Sequence, residues 1–127
     1  MSTTAEVTAI VLRVSSDKAA EFESLFRQEE IPIWDDFTRR GRFERAVLVR
    51  AAGGNQRAAG TQDYIIFVVA AGEAAHGEHD DDPRFTAFLE KARWLQPQPP
   101  LVWFGEPVFE RSALHGHRVP GMRSVSL

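Results

Sequence analysis

The run Tyr64-Ile65-Ile66-Phe67-Val68-Val69-Ala70-Ala71 is apolar at nearly every position. Successive side chains on a strand point to opposite faces, so a strand written this way offers neither face to water. Residues 7 to 14 repeat the pattern, with Ile10, Leu12 and Val14 on one face and Val7, Ala9 and Val11 on the other; Arg13 is the only charge. Both strands must therefore be covered on two sides. The rest of the chain supplies only two helical segments, enough for one face of a sheet. The other face needs a further partner, and a second copy of the same chain is the simplest one.

The remaining elements follow from spacing and punctuation. Ser15-Ser16-Asp17 offers oxygen acceptors for a helix start. Ala19, Phe22, Leu25 and Phe26 then recur at helical intervals. Pro32 lacks an amide hydrogen and biases Ile31 away from helix, which predicts a kink or break before a further helical piece carrying Ile33, Trp34 and Phe37. Gly41 marks its end. Phe43 to Ala51 reads as a second strand whose charges point to an edge position. Residues 52 to 62 form a long glycine-bearing hairpin loop. Gly72 to Asp81 reads as a polar connector. Asp82-Pro83 starts a second helix, with Phe85, Phe88, Leu89 and Ala92 on its apolar face. Leu101 to Arg111 is the last strand, with Pro107 demoting part of it to an edge or bulge.

The order β-α-β-β-α-β, with short connections and right-handed crossovers, gives an α+β ferredoxin-like unit: a four-stranded antiparallel sheet with both helices on one face. Its central strands are the first and third, the two that lack polar alternation here. The bare face would expose adjacent Val, Ile and Phe side chains, each worth about 1.5–3 kcal/mol when fully buried. Large contiguous apolar patches are rare on monomers. The expectation is a face-to-face homodimer closing into an α/β barrel. Residues 1–127 read as one domain, with a core over 6–111 and a C-terminal tail over 112–127.

Composition narrows the function classes. The 127 residues carry a net charge of −3 and no cysteine. Thiolate catalysis, disulfides and Cys-based metal sites are thereby excluded, and nothing draws the chain globally to nucleic acid. The Arg/Lys-Gly-Phe strand motif of RNA-binding ferredoxin-like domains is missing. No segment has the length and hydropathy of a membrane helix, and the amino terminus does not resemble a signal peptide. The expected location is cytoplasmic.

The stretch Ala75-His76-Gly77-Glu78-His79-Asp80-Asp81-Asp82-Pro83-Arg84-Phe85-Thr86-Ala87-Phe88-Leu89 resembles the approach to the second helix in antibiotic biosynthesis monooxygenase-like proteins of the dimeric α/β barrel superfamily. The element order over residues 6 to 111 is similar as well. The resemblance implies a homodimer binding a small aromatic or lipophilic molecule. It also implies a cofactor-independent monooxygenase; the alternative is a non-catalytic ligand-binding or assembly module on the same fold.

His79 and His76, in that order, are the candidate catalytic residues. Imidazole titrates near neutrality and can accept a proton from an acidic phenol or anthrone-type carbon, leaving an anion that reacts with oxygen directly. That chemistry needs a base and a dry pocket, with neither metal nor cofactor. The plainer reading is a polar connector ending in a helix cap. A third is a divalent-ion site, but the His-x-x-His spacing lacks a zincin-type glutamate between its histidines. Trp34, Phe37, Phe67 and Phe88 are the expected ligand-binding walls. Asp82 and Pro83 read as structural. Trp94 lies off the buried stripe and wants a cover. Trp103 and Phe104 point to opposite faces, with core duty as the default. The pair His115 and His117 reads as incidental.

Overall fold

A computed structural model of the chain describes residues 4–113. The expected tail over 112–127, and His115 and His117 with it, falls almost wholly outside the described residues. The elements are β1 (Glu6–Ser15), α1 (Ala19–Leu25), α2 (Ile31–Arg39), β2 (Phe43–Arg50), β3 (Thr61–Ala70), α3 (Glu73–Asp80), α4 (Pro83–Ala92) and β4 (Leu101–Gly105). The four strands form one antiparallel sheet in the order β2-β3-β1-β4. The ferredoxin-like arrangement read from the sequence is therefore present, with the two apolar strands in the centre.

Register fixes what each face carries. Thr8, Leu12 and Val14 of β1, and Tyr64, Ile66, Val68 and Ala70 of β3, are buried on the helix side. Phe22, Phe26, Ile33, Trp34, Phe37 and Phe88 pack down onto them. The opposite face brings together Val7, Ala9 and Val11 with Val69, Phe67 and Ile65, then Val47 and Val49 of β2 and Leu101 and Trp103 of β4. Ile65 and Phe67 are 38% and 39% exposed, although they sit on the central strand β3.

Several local expectations need correction. Ser15 makes no side-chain cap; the chain instead enters α1 through a 3-10 turn over Ser16–Lys18. Pro32 neither breaks the helix nor moves Ile31 out of it. The backbone passes through a π turn, Phe26–Glu30, in which the Ile31 amide donates to the Phe26 carbonyl five residues back. Proline cannot donate, and its ring crowds the carbonyl four residues earlier. A wider turn before it relieves both problems and lets Pro32 sit in the first turn of α2. Gly41 does end α2, at φ +74°, a conformation that costs a residue with a Cβ.

The expected connector at Gly72 to Asp81 is a helix, α3. Its one buried apolar side chain is Ala75, too little to write a hydrophobic stripe. Asp82 caps α4 as expected, accepting from the Arg84 amide at 2.9 Å. The last strand stops at Gly105, so Pro107 lies outside it. Trp103 and Phe104 are each 68% exposed. Neither is buried within the chain, because β4 is an edge strand paired only with β1. Trp94 is also exposed within the chain.

Candidate active site

The helical layer does not seal against the sheet. Between α2, α4 and strands β1 and β3 lies a cavity of about 600 Å³. This is within the size range of small-molecule sites. Ile10, Leu12, Ile66 and Val68 form its sheet wall, and Trp34, Phe85, Phe88, Leu89 and Ala92 its helical wall. The polar groups along it include Thr8, Glu30, His76, His79, Asp80 and Gln96.

Glu30 is the least expected of these. It ends the π turn and is only 3% exposed. Its Oε2 accepts from Trp34 Nε1 at 3.0 Å and lies 2.8 Å from His79 Nε2. Its Oε1 is buried with no hydrogen-bond partner among the described residues.

His79 is 7% exposed, packed between the rings of Phe37, Phe43 and Phe85. Its Nδ1 faces Asp80 Oδ1 at 3.1 Å while Nε2 faces Glu30. With a carboxylate on each side, both ring nitrogens are placed to donate, as an imidazolium does. Burial opposes that charge, but the hydrogen bonds to Asp80 and Glu30 and their negative charge outweigh it, and the pKa is pushed up to about 9. Burial also raises the Glu30 carboxyl above its ordinary range, against the pull of His79 and Trp34. Two donors on one oxygen, Trp34 Nε1 and His79 Nε2 on Glu30 Oε2, are the arrangement of a carboxylate facing an imidazolium.

His76 lies one turn earlier on α3. Its Nδ1 is 2.5 Å from Glu6 Oε1, and its Nε2 is 3.2 Å from Asp80 Oδ2. Asp80 thus touches both histidines. The result is an unbroken polar line from Glu6 on β1 through His76, Asp80 and His79 to Glu30. The Asp80 side chain is half exposed, so the line runs from the surface to the cavity floor.

Behind this line, Arg84 ties α4 to α2 by pairing with Asp82 at 2.8 Å and Asp36 at 3.0 Å. The neighbouring Arg84 guanidinium holds both carboxyls below their usual range. Arg42 pairs with Glu78 at 2.8 Å, fixing α3 against the start of β2. These contacts give Asp36 and Asp82 structural work.

The sequence-derived residues are thus divided. His76, His79, Trp34 and Phe88 all reach the cavity. Phe37 is buried behind it, edge-on to the His79 ring. Phe67 stands on the opposite face of the sheet, opposite Ala9 and Val47, and cannot line this cavity. Glu30 was not among the candidates. Its signal was positional: Phe22, Phe26, Glu30 and Trp34 recur every four residues, placing a carboxylate in the buried ladder.

No family description matches the chain, and no curated protein sequence does either. Solved structures do match. A provisionally assigned antibiotic biosynthesis monooxygenase from Nitrosomonas europaea is similar at TM-score 0.69 and 11% identity, over 88% of this chain and 98% of that one. A monooxygenase from the ActVA-Orf6 gene of Streptomyces coelicolor, solved with nanaomycin D, is similar at TM-score 0.62 and 15% identity, over 87% and 94%. SnoaB, a cofactor-independent oxygenase from Streptomyces nogalater, is similar at TM-score 0.59 and 22% identity, over 87% and 97%. At these identities the likeness shows the fold, which this chain shares with antibiotic biosynthesis monooxygenase-like proteins. Fold alone does not carry activity.

Proposed function

We propose that this chain forms a homodimer that binds a small aromatic or lipophilic molecule and oxidises it with dioxygen, without a cofactor. The observation that carries the reading is the buried Glu30–His79 pair at the wall of a mainly apolar cavity. A carboxylate held out of water is a stronger base than an exposed one, and a proton acceptor in a dry site is what carbon-acid oxidation requires.

The pair takes a proton from an activated CH₂ carbon, with Glu30 as the accepting group and His79 held charged beside it. The resulting carbanion passes an electron to dioxygen, and the two radicals combine to form a carbon–oxygen bond. The peroxide anion takes back the proton. Loss of the second C–H proton as the O–O bond breaks expels hydroxide, which leaves as water. The net change is CH₂ plus O₂ to C=O plus H₂O. The line through Asp80, His76 and Glu6 offers the protons a path to solvent.

This moves the base from His79 alone to the pair, because both nitrogens of His79 are occupied. The same occupancy favours a second reading, a non-catalytic binding module on the same cavity. Anthrone oxidation separates them. Purified protein is expected to consume oxygen faster than buffer, and His79→Ala to lower that rate by about a hundredfold or more. A wild-type rate equal to the buffer blank leaves the binding module.

The proposed pairing rests on the uncovered face of the sheet. Ile65, Phe67, Val49 and Leu101 are 38% to 49% exposed, and Trp103 stands beside them. Arg13 and Asp63 form a polar pair at one end of this face, 3.9 Å apart. An apolar centre with a charged edge is the usual anatomy of an interface.

A further inference from the structure

Two buried side-chain oxygens at this cavity have no hydrogen-bond partner among the described residues: Glu30 Oε1 and Gln96 Oε1. Both are acceptors. The assignment for Gln96 is fixed by its amide nitrogen, which donates to the Ala92 carbonyl at 3.2 Å. The other oxygen of Glu30 is saturated by Trp34 and His79. A buried acceptor without a donor is costly, and here the cost falls on a carboxylate. The backbone makes it necessary, since the π turn before Pro32 delivers Glu30 to the buried ladder. Such turns are over-represented at functional sites. Phe22 and Phe88, which line the same cavity, carry no donor for Glu30.

We infer that Glu30 is the specificity-determining anchor of the cavity: it selects an apolar ligand that presents an O–H or N–H donor, and it rejects ethers and anions of the same shape. Gln96 supplies a second acceptor for a ligand with a second donor. This rests on the cavity being the ligand site, as proposed above, but not on any oxidation taking place there. An ether leaves Glu30 Oε1 unmatched, and an ionised carboxylate brings it only further acceptors. An alcohol or phenol satisfies the oxygen and gains a charge-assisted bond.

The test compares 1-naphthol, 1-methoxynaphthalene and 1-naphthoate by calorimetric titration of the full chain. Wild-type protein is expected to bind 1-naphthol about tenfold or more tightly than either of the others, the usual yield of a hydrogen bond to a charged acceptor. Glu30→Gln is expected to shrink that preference severalfold, and Glu30→Leu to abolish it while retaining the ether; folding is checked by circular dichroism. Should Glu30→Leu fail to fold, the wild-type ranking and Glu30→Gln still decide. Equal wild-type binding of naphthol and ether overturns the anchor and leaves the proposed oxygenase standing. Binding of none of the three overturns the cavity as a ligand site, and the anchor with it. A preference unchanged in Glu30→Gln and Glu30→Leu assigns the selectivity elsewhere and overturns the inference.

Discussion

Glu30 and His79 both have pKa values raised by folding, so the native protein holds more protons than the unfolded chain where they titrate. A raised folded-state value means stability that is complete below the unfolded pKa and lost as pH rises through the folded one. For His79 that window runs from 6.5 to about 9. We expect the urea midpoint to fall across this window by an amount equivalent to roughly 3 kcal/mol. The double substitution Glu30→Leu with His79→Phe should flatten that limb. A wild-type midpoint constant over the same window would show that the pair is not coupled as described. The acid side belongs to Glu23 together with Asp36 and Asp82, and the Glu23 pKa is lowered to about 2 by hydrogen bonds from Arg50 and Tyr64. Its contribution is present above 4.5 and lost as pH falls toward 2. The histidines were legible in the sequence because titratable rings before a helix cap are conspicuous. Glu30 was not, because a carboxylate in a helix normally marks the solvent side; only its four-residue spacing from Phe26 and Trp34 argued otherwise.

At the scale of elements, strands were readable and one helix was not. Continuous apolar runs without polar alternation identify β1 and β3 and put them in the centre of the sheet. α3 carries Ala75, His76, Gly77 and His79 along its length and borrows its stability from contacts such as Arg42–Glu78. Nothing local to its sequence announces a helix. The π turn is a similar case: Pro32 foretold a disturbance, but whether the chain breaks or widens is settled by the packing of Phe26 and Trp34 on either side. The cap of α4 is local chemistry and should behave locally. Asp82→Ala removes the acceptor for the Arg84 amide and a partner of its guanidinium, and should cost about 1 kcal/mol in denaturant melts. Asp82→Asn should recover part of that, since asparagine caps comparably. A neutral Asp82→Ala would mean that Asp36 alone holds Arg84 and the helix start.

For the whole molecule, one sheet serves two purposes. Its helix side frames the cavity, and its other side exposes Val49, Ile65, Phe67 and Leu101, on which the proposed pairing rests. Light scattering at micromolar concentration should give twice the chain mass of 14.3 kDa. Phe67→Glu, which places a charge in the middle of the bare face, should return the protein to a single chain or weaken association by orders of magnitude. A wild-type monomer would remove the proposed pairing while leaving the cavity intact. The claim on which the functional account stands is that the polypeptide itself, with no metal or organic cofactor, lets a carbon acid react with oxygen. Isotope labelling measures this most directly: chelator-treated protein is given anthrone under ¹⁸O₂, and the anthraquinone is weighed. The account predicts one ¹⁸O in the new carbonyl, its partner atom in water, and full turnover without additives. Product oxygen drawn from solvent, or turnover that depends on an added metal or flavin, would contradict it.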